Sequence, residues 1–212
     1  MALFLDSANI EDVREAARLG FVTGVTTNPT LMAKTERPEV EVIHDILEST
    51  TGPIFYQVTA GEVAVRADQA RAISRLAPDR VLIKIPATTE NLSLAARLKS
   101  EGISCAITAV ASPSQVYIAT LVGAAYAAIY VSRLTKQLGD GIEILRECVA
   151  VARKSPIRIL AASLKSVDEV IATLMTEVPD ITLPLELILK LGEHELSLKA
   201  IEEFSTYTRA TE

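Results

Sequence analysis

One lysine in this sequence occupies a position where lysine is unexpected. Lys84 interrupts the run VLIKIP at residues 81–86, whose β-branched and aliphatic side chains are typical of a fully buried strand. A buried ammonium group is costly, so it either finds a partner or loses its proton. A neutral amine is a nucleophile that can form a Schiff base with a carbonyl compound. The alternative is that Lys84 marks an exposed strand end, with its stem packed and its head in water.

The elements that must position Lys84 alternate along almost the whole chain. Strands are predicted at Ala2–Leu5, Gly24–Thr26, Ile54–Val58, Val81–Ile85, Ser104–Thr108, Tyr126–Tyr130, Arg158–Ala161 and Ile181–Leu183. Helices are predicted at Ile10–Leu19, Pro38–Ser49, Glu62–Leu76, Glu90–Ser100, Ser112–Val122, Ile142–Arg153, Val167–Thr176, Leu185–Leu191 and Leu196–Tyr207.

Eight strand and helix units in 212 residues predict an α/β fold, a (β/α)8 TIM barrel with an extra C-terminal helix. We expect a single domain over residues 1–212. A doubly wound sheet is the alternative, but the first predicted turn, DSAN at residues 6–9, lacks the glycines of a dinucleotide site.

Catalytic residues of a (β/α)8 barrel lie where its strands end. Seven of the eight predicted strands end in hydrogen-bonding or ionisable residues: Asp6, Thr27 and Asn28, Gln57, Lys84, Thr108, Tyr130 with Arg133, and Ser163 with Lys165. Each has a local alternative, since Asp6 could cap a helix, Asn28-Pro29 could form a turn, and Arg133 or Lys165 could be a solvated loop charge. Their joint placement around one mouth favours Lys84 as a nucleophile.

A lysine nucleophile needs groups that move protons while the carbinolamine forms and water leaves. Asp6, Tyr130 and a water held by Gln57 and Thr108 could supply them. These residues therefore form the predicted catalytic set with Lys84.

The remaining strand ends suit a substrate that is both hydroxylated and anionic. Asn28 would orient a substrate hydroxyl, and Thr27 lies beside it. Arg133 and Lys165 provide two positive charges, and Ser163 provides a hydroxyl, which together suit a terminal phosphate.

Composition excludes several other classes of protein. With 49% apolar residues, 23% charged residues and a net charge of −6, the sequence is typical of a soluble globular protein and has no basic block for nucleic acid or a membrane surface. No signal peptide or bilayer-length apolar run is found, so we expect a cytoplasmic protein. Cys105 and Cys148 lack metal-ligand spacing, and His44 and His194 are assigned to helices, so we expect no metal or other cofactor.

Several motifs carry a family resemblance, in order and in spacing. They are LD (5–6), GVTTNP (24–29), KIP (84–86), EGI (101–103), TAV (108–110), YVSR (130–133), LAASLK (160–165) and ITLP (181–184). Together they resemble the small transaldolase family that includes fructose-6-phosphate aldolase, from about Ala2 to Phe204.

That resemblance implies a class I mechanism in which Lys84 forms the Schiff base with a three-carbon ketone donor. It further implies that Asp6 is the acid/base at the carbon–carbon bond, that Asn28 binds a donor hydroxyl, and that Arg133 with Ser163 holds the phosphate of the acceptor. Small members of the family form homo-oligomers, including pentamers and decamers, in which a C-terminal helix reaches a neighbouring subunit. Residues 196–207 are the corresponding segment here.

The resemblance also separates two activities. Transaldolases have glutamate at the position of Gln57, phenylalanine at that of Tyr130, and polar residues at those of Ala106 and Ala128. Lys165 likewise matches the aldolases. We therefore expect a fructose-6-phosphate aldolase that uses dihydroxyacetone or hydroxyacetone with glyceraldehyde 3-phosphate. The alternatives are a transaldolase, an enzyme for a related anionic sugar such as a sulfonated one, and a non-catalytic barrel that binds sugar phosphates.

Overall fold

The computed structural model describes residues 1–59 and 61–209, and in them eight parallel strands close into one barrel in sequence order. The strands are β1 (Ala2–Asp6), β2 (Gly24–Thr26), β3 (Ile54–Gln57), β4 (Val81–Pro86), β5 (Cys105–Val110), β6 (Tyr126–Tyr130), β7 (Arg158–Ala162) and β8 (Asp180–Leu183). The helices are α1 (Ile10–Leu19), α2 (Pro29–Ala33), α3 (Glu39–Ser49), α4 (Val63–Ser74), α5 (Thr89–Ser100), α6 (Pro113–Leu121), α7 (Val131–Leu138), α8 (Gly141–Ala152), α9 (Val167–Leu174), α10 (Leu185–Leu191) and α11 (Glu195–Arg209). The predicted α/β class, the (β/α)8 barrel and the extra C-terminal helix are confirmed.

Two helices are missing from the sequence prediction. Helix α2 has five residues, too few for a helical period to be recognised, and it begins where the Asn28 side chain accepts a hydrogen bond from the Leu31 N–H. Asn28-Pro29 is therefore a helix start rather than a simple turn. Helix α7 follows β6 directly, and Tyr130 at its start makes no capping hydrogen bond through its side chain. Arg133 consequently lies on a helix, where the sequence indicated a loop.

The barrel interior is filled by side chains from alternate strand positions. Its buried layer contains Phe4, Phe55, Leu82, Ala106, Ala128 and Leu160. The Phe55 ring meets the rings of Phe4 and Tyr126 edge to face, with centroids 5.3 and 4.9 Å apart. Because side chains alternate between the two faces of a strand, the residue two positions further on also points inwards, at the C-terminal mouth. This layer therefore forms the floor of the mouth.

The opposite end of the barrel is held by a buried carboxylate at the start of β8. Asp180 is fully buried, and its two oxygens accept hydrogen bonds of 2.6 Å from the Arg158 guanidinium. The Ala2 N–H of β1 donates to the same carboxylate at 2.8 Å. Asp180 thus joins β1, β7 and β8 where the barrel closes.

We expect Asp180→Asn to lower the free energy of unfolding by about 2 kcal/mol, because asparagine keeps only one acceptor oxygen and places an uncharged NH2 group against the Arg158 guanidinium. Denaturant titration measures this loss. Glu101→Gln is the matched control, since Glu101 makes a comparable two-bond pair with Arg71 in solvent and should lose much less. Equal losses in the two variants would contradict the prediction.

No helix in the described parts of the chain combines the length and apolarity needed to cross a membrane.

Candidate active site

A cavity of about 530 Å³ opens at the C-terminal mouth of the barrel. Nine of the residues predicted from the sequence line it: Asp6, Asn28, Gln57, Lys84, Ala128, Tyr130, Arg133, Ser163 and Lys165. The chain therefore brings together residues from β1, β3, β4, β6 and the segments that follow β2, β6 and β7, as the barrel arrangement predicted.

Lys84 reaches this cavity from inside β4. Its side chain is only 5% exposed, and its Nζ donates a 2.7 Å hydrogen bond to the Thr27 carbonyl. Burial lowers the pKa of Lys84 from 10.5 to about 8, although the negative charge of Asp6 partly opposes the shift. A lysine whose pKa is lowered in this way has a larger neutral fraction near physiological pH, and a neutral amine can act as a nucleophile.

This lowered pKa predicts a specific pH dependence. The reactivity of Lys84 towards trace acetic anhydride should rise with pH and reach half its maximum near pH 8, because only the neutral amine reacts. Competitive labelling followed by peptide mass spectrometry measures each lysine separately, with exposed Lys34 as a reference in the same digest. A midpoint for Lys84 near 10.5, its ordinary value, would contradict the prediction.

A chain of three side chains orients Asp6. The Thr26 hydroxyl donates to Asp6 Oδ1 at 2.8 Å and lies 2.7 Å from the Thr182 hydroxyl. Because the single proton of Thr26 is used on Asp6, Thr182 must donate to Thr26. Asp6 Oδ2 makes no hydrogen bond within residues 1–59 and 61–209, which leaves it available to a substrate hydroxyl.

A second hydroxyl pair lies at the ends of β5 and β6. Thr108 Oγ1 and the Tyr130 hydroxyl are 2.7 Å apart, and the Arg133 guanidinium lies 4.7 Å from the centre of the Tyr130 ring. Burial raises the pKa of Tyr130, which keeps its phenol protonated at neutral pH. Tyr130 can therefore donate a proton or position a water at this side of the cavity.

The segments after β6 and β7 form the positively charged side of the mouth. Arg133 and Lys165 are exposed there, and both line the cavity with Ser163. Ser163 has a φ of 63°, a left-handed conformation that is uncommon for residues other than glycine. The backbone turns sharply at Ser163, and this turn brings the loop after β7 to the cavity.

Three predicted residues do not line the cavity. Thr27 is fully buried and its hydroxyl donates to the Phe55 carbonyl at 2.8 Å, so only its backbone carbonyl reaches Lys84. Ala106 lies in the interior layer below the mouth, next to Lys84 in the strand register. Thr108 is buried and reaches the site through Tyr130.

Sequence reasoning missed some of the lining residues. They are Thr26, Pro29, Thr30, Leu31, Ala109, Leu160, Ala162 and Thr182. Thr26 and Thr182 carry hydroxyls within the predicted β2 and β8 strands, but each of these strands was predicted with only three residues, too few for a period of two to show which face points inwards. The apolar residues carry no comparable chemical signal.

The two histidines lie outside the mouth. His44 is on α3 beside half-buried Asp45 and exposed Glu48, and Asp45 already binds Arg37. His194 precedes α11 rather than lying within a helix, and its Nδ1 accepts a hydrogen bond from the Leu196 N–H.

The family described as transaldolase/fructose-6-phosphate aldolase matches residues 3–212 of the chain. The chain belongs to this family. The transaldolase/fructose-6-phosphate aldolase family is enzymatic, and a mouth that contains a buried lysine, a carboxylate and a tyrosine agrees with that membership.

Relatives within the transaldolase/fructose-6-phosphate aldolase family match over nearly their full length. A probable transaldolase from Heliobacterium modesticaldum is 38% identical over 206 residues, which cover 96% of this chain and 95% of that protein. Probable transaldolases from Desulforudis audaxviator and Symbiobacterium thermophilum are each 34% identical over 206 residues, which again cover 96% of this chain and 95% of each relative. The names of these relatives agree with the transaldolase alternative better than with the aldolase expectation.

Proposed function

We propose that the chain is a class I, Schiff-base enzyme that breaks and forms a carbon–carbon bond in sugar phosphates. The observation that carries this proposal is Lys84, a buried amine whose pKa lies near 8, in a cavity shared with Asp6. Lys84 Nζ attacks the carbonyl carbon of the ketose, and loss of water gives an iminium ion. Asp6 then takes the proton of the hydroxyl next to the scissile bond, the bond breaks, and an aldehyde leaves an enamine on Lys84.

The first candidate activity is that of a fructose-6-phosphate aldolase. In this activity the enamine is protonated and water releases free dihydroxyacetone, while glyceraldehyde 3-phosphate is the aldehyde product. Tyr130 supports this outcome, because its protonated hydroxyl is held by Thr108 at the cavity. Gln57 lines the same cavity and can hold the attacking water.

The second candidate activity is that of a transaldolase, and the names of the relatives support it. In this activity the enamine attacks the carbonyl carbon of a second aldose instead of being protonated. Both activities use Lys84 and Asp6 in the same way. They differ in whether water or an aldose resolves the intermediate.

The positively charged side of the mouth is the proposed subsite for the phosphate of the aldehyde. Arg133 supplies a planar guanidinium, Lys165 a point charge and Ser163 a hydroxyl. The sulfonate of a related sugar has similar acceptor oxygens and is an alternative ligand. Ala128 offers no hydrogen bond to the donor, so hydroxyacetone should serve as well as dihydroxyacetone.

The deciding experiment measures glyceraldehyde 3-phosphate released from fructose 6-phosphate, with and without erythrose 4-phosphate and in the presence of EDTA. Release without the acceptor identifies an aldolase. Release that requires erythrose 4-phosphate identifies a transaldolase. No release under either condition would overturn the proposed function.

The Tyr130→Phe variant tests how the intermediate is resolved. We expect it to slow release of free dihydroxyacetone by about 100-fold, because the proton donor beside the enamine is lost. Transfer to erythrose 4-phosphate should fall much less. Tyr117→Phe is the matched control, since Tyr117 is 56% exposed on α6. An equal fall in release and in transfer would contradict this role of Tyr130.

We also propose that the protein is a homo-oligomer, a pentamer or a decamer, formed through α11. On this helix Leu196, Leu198 and Ile201 are 53 to 68% exposed, and such an apolar surface is typical of an interface. Sedimentation of the full chain and of a chain that ends at His194 tests this, because only the full chain should assemble.

A further inference from the structure

One carboxylate outside the cavity connects the two segments that supply its positively charged side. Glu169, in the first turn of α9, accepts a 2.5 Å hydrogen bond from the Ser132 hydroxyl through Oε1. Its Oε2 accepts a 2.7 Å hydrogen bond from the Lys165 N–H. Neither Glu169 nor Ser132 belongs to the predicted catalytic set. Through its two oxygens, Glu169 joins α7 to the loop after β7.

The two partners of Glu169 lie in the segments that carry the proposed phosphate ligands. Ser132 precedes Arg133 in the first turn of α7 and is only 8% exposed. Lys165 is itself a proposed ligand and lies two residues after Ser163. The last residues of the preceding strands, Tyr130 and Ala162, are paired in the barrel, so the two segments leave it side by side.

Glu169 also departs from an ordinary helix cap. Its own N–H is capped by the Ser166 hydroxyl at 3.2 Å, as expected at the start of a helix. In a capping box the glutamate would reach back to the N–H of the capping residue itself. Here the side chain reaches one residue further, to Lys165, and also crosses to α7. The second bond lies outside the capping motif and needs another explanation.

We propose that Glu169 is a positioning residue that fixes the distance between Arg133 and the Ser163–Lys165 segment, so that both contact one phosphate. This inference rests on the proposed function for the identity of the phosphorylated aldehyde. It makes a counter-intuitive prediction, because Glu169 is an anion near an anion subsite. Electrostatics alone predicts that removing its charge strengthens phosphate binding, whereas loss of a positioning contact weakens it.

Two variants separate these effects. Glu169→Ala removes the charge and both hydrogen bonds. Glu169→Gln removes the charge but can keep both contacts, since its amide oxygen can accept from the Lys165 N–H while its NH2 donates to the Ser132 hydroxyl. We expect Glu169→Ala to raise the KM for glyceraldehyde 3-phosphate about tenfold with little change in kcat. Glu169→Gln should restore a KM close to that of the wild type.

The synthesis direction provides the measurement, with dihydroxyacetone as donor. The ratio of kcat/KM for glyceraldehyde 3-phosphate to that for unphosphorylated glyceraldehyde should fall about tenfold in Glu169→Ala only. A general loss of structure would lower both values, so it would leave the ratio unchanged. If the alanine and glutamine variants shift the ratio equally, the positioning role is wrong.

Direct binding of inorganic phosphate, followed by 31P NMR line broadening, tests the inference independently of turnover. Weaker binding in Glu169→Ala than in Glu169→Gln supports the inference even if the wild type cleaves no sugar, in which case the proposed function alone fails. Equal binding in the two variants, or no binding to the wild type, overturns it.

Discussion

Lys84→Met will abolish covalent capture of dihydroxyacetone and reduce carbon–carbon bond cleavage by at least about 10⁴-fold. In the proposed mechanism the Schiff base forms on the Lys84 amine, and methionine fills nearly the same buried volume without a nucleophile. Treatment with dihydroxyacetone and borohydride, followed by mass spectrometry, should show one reduced adduct on the wild type and none on the variant.

The control for this prediction is Lys34→Met. Lys34 is an exposed lysine that lines a neighbouring cavity of about 480 Å³ between α1 and α3. This variant should retain the adduct and the activity. An adduct that persists in Lys84→Met would place the nucleophile elsewhere and disprove the assignment.

Asp6→Asn will separate Schiff-base formation from bond cleavage. We expect cleavage to fall by about 10³-fold, because the amide cannot take the hydroxyl proton, while borohydride still traps the ketone on Lys84. The charge of Asp6 raises the pKa of Lys84, so its removal should also shift the labelling midpoint of that lysine below pH 8.

The matched control for this carboxylate is Asp12→Asn. Asp12 accepts a 2.7 Å hydrogen bond from Ser7 beside the mouth, so this substitution removes the same charge outside the catalytic cavity. It should leave cleavage close to that of the wild type. If Asp6→Asn also failed to trap the ketone, Asp6 would be needed for Schiff-base formation as well.

The sequence was sufficient to predict the barrel and most of its mouth. Strand period and turn residues located all eight strands to within about two residues, because a parallel barrel buries its strands completely and its helices on one side. Lys84 was recognised as exceptional because a cation is energetically unfavourable inside such a buried strand. The carboxyl ends of all strands of such a barrel lie at one face, so Asp6, Gln57 and Tyr130 could be assigned to the same mouth as Lys84.

Other parts of the site depend on contacts that no local pattern contains. The choice between Thr26 and Thr27 rests on which side of β2 faces inwards, and a three-residue strand is too short to show a period. The bond between Thr26 and Thr182 joins residues 156 positions apart. Helix α7 begins without a turn or a capping side chain, so the placement of Arg133 on a helix follows from the packing of α7 against α8.

The closure of the barrel between β1 and β8 also determines the order in which the site can assemble. The hydrogen bond from Ala2 to Asp180 spans 178 positions of sequence, whereas Lys84 meets Thr27 across only 57. Closing a longer loop costs more chain entropy, so we expect the contact that spans 178 positions to form after the one that spans 57. A chain emerging from the ribosome can therefore hold Lys84 against Thr27, and Asp6 against Thr26, before Thr182 arrives to complete the chain of hydroxyls that orients Asp6. The enzyme becomes competent only when its last strand joins its first.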